Sequence, residues 1–217
     1  SYFPGTKTPL LHGGFCDYGS MGLKLIPANL RKKFTIEERE HAVCILKYDF
    51  RDEWKDILEC LDDLWLTRAM LTKPGGNKSV ISIKIDNFLQ DEKRGWTERS
   101  FDTKLVVDGK EIPSPTHKID NYKNGVGVEV EWNNKDPFFD RDLNNFRLLR
   151  QLKTLSVGVI ITRMTELQKL FKDAGQKTAK GAATTHWGKL IPKVDGGGAG
   201  GCPLLLVGMG LACCRES

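Results

Sequence analysis

Apolar positions follow two different periods along this chain, and the changes between them mark its elements. Over the first 34 residues neither period holds. Pro4, Pro9, Pro27 and several glycines break the pattern, which predicts an extended N-terminal arm over residues 1–35. The run Ala-Val-Cys-Ile-Leu between His41 and Tyr48 reads as a strand, with a helix as the alternative, because consecutive apolar residues carry no period. Trp54, Ile57, Leu58, Leu61, Leu64 and Trp65 then recur at helical spacing, with Asp49 or Asp52 as the cap and Pro74-Gly75-Gly76 as the end. A shorter helix carries Ile85, Phe88 and Leu89 on one face and stops before Gly95.

The centre changes to a period of two. Phe101 to Val107, Thr116 to Tyr122 and Val126 to Trp132 read as strands. Phe138 to Leu155 is helical, Ser156 to Thr162 reads as a buried strand, and Thr165 to Ala174 as a helix closed by Gly175. A basic loop, Lys177 to Lys189, leads through Gly196–Gly201 to a last strand, Pro203 to Met209. Strands interleaved with helices predict an α/β sandwich with a central mixed β-sheet flanked by helices. One domain over residues 36–210 follows, with a C-terminal tail over 211–217.

Composition excludes several classes. With 40% apolar and 28% charged residues in 217, the chain is globular and long enough for a sizeable core. No apolar run approaches the length of a membrane helix, and Ser-Tyr-Phe-Pro-Gly at the start has neither the charge nor the apolar stretch of a signal peptide. Six cysteines without a C-x-x-C pair read as free thiols, so a cytoplasmic location is expected. The net charge of +5 is uneven: residues 1–35 hold five bases and one acid, residues 36–70 five bases and ten acids, residues 151–217 nine bases and four acids. Basic ends suit a polyanion, but charge alone favours the plainer reading of a soluble protein with a mixed surface. Gly196-x-Gly198-x-x-Gly201 matches a dinucleotide fingerprint in form only, because Pro203 and a strand follow it where a helix should receive the phosphates. No nucleotide cofactor is expected.

The candidate chemistry lies in one hairpin. Asn124-Gly125 between two strand-like runs is a two-residue turn signal, since both central positions need positive φ. Pairing Lys123 with Val126 sets Asp120 opposite Glu129. Alternation puts Glu131 on the same face, while Val128, Val130 and Trp132 point to the other. Opposed like charges destabilise a sheet by up to about 1 kcal/mol, so compensation is needed. Lys118 opposite Glu131 is one source, and a hard divalent cation bound by three carboxylates is another. A solvated acidic face is the plain alternative.

Asp120 … Glu129-x-Glu131 resembles the active-site signature of the PD-(D/E)XK nucleases, and its spacing is similar to that of the BglII/BstYI family of type II restriction endonucleases. The same family is resembled by Gly95-Trp96, by Ser114-Pro-Thr-His-Lys-Ile-Asp120 and by Val128-Glu-Val-Glu-Trp-Asn-Asn-Lys-Asp136. Val157-Gly-Val-Ile-Ile-Thr-Arg163, Thr184-Thr-His186 and Gly200-Gly-Cys-Pro-Leu-Leu-Leu-Val-Gly208 continue it in the same order, from about residue 40 to 210. One residue departs. The common signature ends in lysine and BglII-like members carry glutamine, whereas this chain has Glu131, as in BamHI-like sites.

The resemblance implies a restriction-endonuclease-like sandwich that cuts both strands of a short palindromic DNA, leaving 5′-phosphates, with Mg²⁺ (one or two ions per site) as cofactor. Relatives read hexamers built around GATC. By carry-over Asp120 and Glu129 are metal ligands, and Glu131 is either a further ligand or the group that orients the attacking water. Asn133, Asn134 and Lys135 are DNA-binding candidates, with loop conformation as the other role for the two Asn. Arg163 is a second candidate or a solvated strand end, and Thr184, Thr185 and His186 are groove or phosphate contacts. His186 as a general base is a sharper alternative, and His117 is expected to hydrogen-bond beside the acidic strand. A palindrome implies a homodimer, for which the helix Asp49 to Leu66 is a candidate element, and a cognate DNA methyltransferase in the same system without direct contact. A repair nuclease and a non-catalytic DNA-binding protein are the rival readings.

Overall fold

The computed structural model describes residues 22–72, 78–113, 116–132, 134–173 and 184–215. In chain order, α1 (Ala28–Lys33) runs straight into β1 (Phe34–Arg39), followed by α2 (Ala42–Asp49) and α3 (Arg51–Asp63). Then come β2 (Leu66–Thr67), α4 (Arg68–Thr72), α5 (Val80–Leu89) and β3 (Thr97–Arg99). A ribbon of β4 (Lys104–Val107) and β5 (Lys110–Pro113) precedes β6 (Ile119–Lys123) and β7 (Val126–Glu131). The chain continues through α6 (Pro137–Gln151), β8 (Val157–Arg163), α7 (Leu167–Asp173), α8 (Trp187–Asp195), β9 (Leu204–Met209) and β10 (Cys214–Arg215).

Six strands make one sheet in the order β1-β9-β8-β7-β6-β3. Its centre, β7, β8 and β9, is parallel, and β1, β6 and β3 pair antiparallel, so the sheet is mixed. Strands covered on both faces need apolar residues at every position, which is why β8 and β9 read as unbroken apolar runs. On one face Val126, Val128 and Val130 join Val157, Val159, Val207 and the apolar stripes of α1, α2, α3 and α5. On the other, Ile160, Leu204 and Leu206 pack with Phe139, Leu143, Phe146 and Leu149 of α6 and with Leu190 and Val194 of α8. The result is the expected α/β sandwich.

Close approach of α6 to the sheet depends on two glycines. A Cβ on Gly158 would lie 2.5 Å from Phe146 Cδ2, and one on Gly127 would lie 2.9 Å from Leu155 Cδ1 and 3.3 Å from Phe146 Cε1. Their missing side chains let the Phe146 ring rest on the strands.

Several expectations are corrected. Residues 42–49 are helical: Ala42, Val43 and Leu46 are buried at helical spacing, and the intervening apolar residues are only partly covered. Residues within the expected arm belong to the fold, since Ile26, Leu30 and Phe34 enter the core and β1 closes one edge of the sheet; residues 1–21 lie outside the described residues. Helix α3 starts after Phe50 with no side-chain cap, so neither Asp49 nor Asp52 serves. Its Trp54, Ile57 and Leu61 are buried in this chain's own core, while Leu58 and Trp65 are half-buried. Helix α8 occupies the end of the expected basic loop, and β10 pairs with β2 where only a tail was expected. Pro74-Gly75-Gly76 lies outside the described residues. Cys44, Cys60, Cys202, Cys213 and Cys214 are free thiols, as expected. Among the described residues no helix is long and apolar enough to cross a membrane.

Candidate active site

The hairpin forms in the expected register. Asn124 and Gly125 have φ of +47° and +88°, and Lys123 faces Val126 and Asn121 faces Val128. One step further, Asp120 meets Glu129: Glu129 Oε2 accepts the Asp120 N–H at 3.3 Å, and Asp120 Oδ2 accepts the Val130 N–H at 3.2 Å. The turn is tied to α3, because the Asn124 amide donates to Glu53 Oε1 at 2.8 Å and Lys123 Nζ to Asp56 Oδ2 at 3.0 Å. Asp56 also accepts the indole N–H of buried Trp96 and the Arg94 guanidinium, which gives the Gly95-Trp96 segment a structural role.

Glu129 and Glu131 are each only 1% exposed, so the acidic strand face is not a solvated one. It lies under α6, which adds two residues that no sequence motif marked. Asp142 is fully buried, and Arg141 donates through Nε to Asp142 Oδ1 at 2.8 Å while its Nη2 stands 3.5 Å from Glu131 Oε1. The Asn134 amide donates to Glu131 Oε2 at 2.8 Å. Lys118 does not compensate Glu131 as expected: it is well exposed and pairs with Glu98 at 2.8 Å. A second polar group flanks Asp120. Buried Asp86 accepts the Asn121 amide and pairs with Lys78, and Gln90 donates to the Asp120 carbonyl.

Burial is the first cause that raises all four carboxyls above their ordinary range. Glu129 is pushed well up by burial, then by Asp142 and Asp120. Glu131 is raised by burial and by Asp142, against the pull of Asn134 and Arg141. Burial raises Asp142, with Glu131 and Arg141 pulling the other way, and burial raises Asp120 despite the Val130 N–H. Asp142 favours a proton on Glu131, while Glu131 favours the ionised form of Asp142, so one proton between the two suits the pair. Such a cluster is short of positive charge. Its donors are all oxygen, and Glu129 Oε1 and Asp142 Oδ2 are buried without a conventional donor, so the donor set suits a hard divalent cation. Among the described residues, however, no three His, Cys, Asp or Glu groups converge into a ready-made metal cage.

The expected DNA-contact residues gather beside these acids. Asn133 lies outside the described residues. Lys135 forms an antiparallel bridge with Thr184, the Asn134 N–H donates to Thr185 Oγ1 at 3.1 Å, and the Thr185 N–H donates to the Asn134 carbonyl at 2.8 Å. Two segments distant in sequence thus make one rim next to Glu131, with Lys135 exposed. Arg163 is not a solvated strand end. It is fully buried and donates to Thr184 Oγ1 at 2.9 Å, supporting the rim, and burial lowers its guanidinium to about 10. His186 Nδ1 pairs with Thr165 Oγ1 at 3.1 Å, and burial, then Arg163, lowers its proton affinity. The side chain of His117 is exposed, and its carbonyl accepts the Asn145 amide.

Comparison with curated proteins finds no significant match. The family model described as restriction endonuclease BglII/BglIII matches residues 34–209, from the first residue of β1 to the last of β9. The matched span is therefore the whole central sheet with the hairpin, helix α6 and the rim, and the chain belongs to the BglII/BglIII family of restriction endonucleases.

Proposed function

We propose that this nuclease is a type II site-specific deoxyribonuclease that cuts both strands of a short palindromic DNA containing GATC, with divalent metal, and leaves 5′-phosphates. The observation that supports the reading is Asp120 set against Glu129 across the hairpin, with Glu131 two residues further along the same strand and bonded to Asn134 of the rim that Lys135 and Thr184 complete.

Bound Mg²⁺, one or two ions per site, would polarise the phosphate and acidify a water. Asp120 and Glu129 would hold it, and Glu131 would complete the set or orient the attacking water. Once a cation is present, the buried carboxyls ionise without mutual repulsion, because their charges then have a partner. Lys135 faces a backbone phosphate, and Asn134 and Thr184 meet a groove edge. One site cuts one strand, so a palindrome is matched by two copies of the chain related by a two-fold axis. A cognate methyltransferase protects the host site without contacting the enzyme.

Digestion of long unmethylated DNA, with Mg²⁺ or EDTA, tests this. Discrete fragments that vanish in EDTA and with Glu129→Ala are expected, and end sequencing names the site. A smear that persists in the variant, or no cutting at any enzyme concentration, would overturn the reading.

A further inference from the structure

Glu131 is the residue by which this chain departs from the lysine of the wider signature, and its two oxygens are already engaged. Oε2 accepts the Asn134 amide at 2.8 Å, and Oε1 faces Arg141 Nη2 at 3.5 Å. Arg141 is itself positioned from two sides: Nε and Nη2 each lie 2.8 Å from Oδ1 of buried Asp142, and the guanidinium lies 4.2 Å from the Phe138 ring centroid. Glu129, on the same strand face, is held differently. Its Oε2 has only the 3.3 Å bond from Asp120, and its buried Oε1 has no donor. Of the two glutamates on this strand, one is matched with a cation and an amide, and the other keeps an uncommitted oxygen.

We propose that Arg141 is the resident counter-cation of the acidic site, held over Glu131 by Asp142 and Phe138, and that it exchanges Glu131 for a DNA phosphate when substrate binds. The exchange frees Glu131 for the divalent cation. A guanidinium and a metal ion cannot share one carboxylate oxygen without mutual repulsion, so the arginine must leave before Glu131 can ligate. Its planar fork matches a phosphate as well as a carboxylate, and its side chain is 31% exposed, within reach of a strand on the rim. Asp142 Oδ1 holds the Nε–Nη2 edge, with Nη2 also at 2.8 Å, so the longer 3.5 Å approach of Nη2 to Glu131 is the contact that is given up. Arg141 and Asp142 are thus positioning residues. The DNA half of this inference rests on the nuclease reading above; the metal half does not.

Mn²⁺ binding to the full-length, DNA-free protein, followed by electron paramagnetic resonance, tests the metal half. Arg141→Gln should bind Mn²⁺ about 10-fold more tightly than the parent. Arg141→Met, which keeps the stem over Phe138, should do the same and stands in if the glutamine variant does not fold. Arg147→Gln removes an equal charge from the exposed side of the same helix and should leave the affinity unchanged. DNA affinity measured in Ca²⁺ should fall at least 10-fold in both Arg141 variants. Mn²⁺ affinity equal to or below that of the parent, or no Mn²⁺ binding by any variant, would overturn the inference. Tighter Mn²⁺ binding with no DNA binding by the parent protein would instead count against the nuclease reading.

Discussion

Replacing Glu129 by glutamine should stabilise the metal-free protein, by an amount that grows with pH. The Glu129 carboxyl is buried, with one long hydrogen bond and one oxygen without a donor. Burial, then Asp142 and Asp120, raise its proton affinity well above the ordinary 4.5. The folded protein therefore holds a proton that the unfolded chain has released. Stability from such a group is complete below the unfolded value and is lost as pH rises toward the folded one. The loss grows by at most about 1.36 kcal/mol for each pH unit above the ordinary value and stops growing at the folded one. Removing one acid also eases ionisation of Asp120, Glu131 and Asp142, while the amide has its own hydrogen-bonding needs. A net gain at pH 7 of about 1–3 kcal/mol, the usual cost of a buried polar group left without a partner, and a smaller gain at pH 5 are expected. Glutamine keeps the volume and the acceptor for the Asp120 N–H, and its amide protons have carboxylates to meet. Urea unfolding in EDTA at pH 5, 6 and 7 measures the difference. A variant no more stable than the parent at pH 7, or a gain that does not change with pH, would refute the account of burial and repulsion. With Mg²⁺ present, the parent should gain stability and the variant gain less.

Four further outcomes are expected. Gly158→Ala should destabilise by about 1–3 kcal/mol in chemical denaturation, because its methyl would meet the Phe146 ring at 2.5 Å. Gly125→Ala should cost about 1 kcal/mol through φ of +88° alone, since the nearest atom to a Cβ there is 3.6 Å away. Asp56→Asn should lower stability at pH 7 by about 3 kcal/mol by weakening the Lys123, Arg94 and Trp96 contacts. The parent carboxyl is held below its ordinary 3.8, the push of burial being outweighed by Trp96, Lys123 and Arg94, so that contribution is present above the ordinary value and fades as pH falls below it; the gap between the two proteins should narrow in acid. Lys135→Ala should weaken DNA binding across sequences and lower the salt dependence by about one counterion, measured by anisotropy against ionic strength.

Elements with one clear period were legible in the sequence. Val126 to Glu131, with the Asn124-Gly125 turn, allowed even the register of the acids to be counted, because a two-residue hairpin leaves no slack. Helix α6 was legible through Leu143, Phe146 and Leu149, although Phe139 and not the expected Phe138 is buried and the expected Leu152 is exposed. Residues 42–49 were not, since a short apolar run buries well either as a strand or as a helix, and only packing under the sheet decides. Strand β1 escaped because it is an edge: Phe34 and Glu38 are buried while Thr35 is exposed, and its acids and arginine look like surface. Helix α8 starts within a run rich in lysine, where Trp187, Leu190 and Val194 supply a short apolar stripe around an internal proline.

The site divides along the same line. Its three strand acids follow from local alternation, but the partners of Glu131 come from a helix whose path over the sheet depends on Gly127 and Gly158 and on the depth of Phe146 between them. That crossing is a tertiary fact, and no spacing between Glu131 and Asp142 announces it. One local sign does exist. Asp142 sits three residues after Phe139 and four before Phe146, on the stripe that α6 turns toward the sheet. A carboxyl in that place is costly to bury unless something shares its proton or its charge. The strand that precedes the helix in the chain supplies the partner in Glu131, and the adjacent Arg141 supplies the charge, so an acid interrupting an apolar helical stripe just after an acidic strand marks where the two surfaces of the site close on each other.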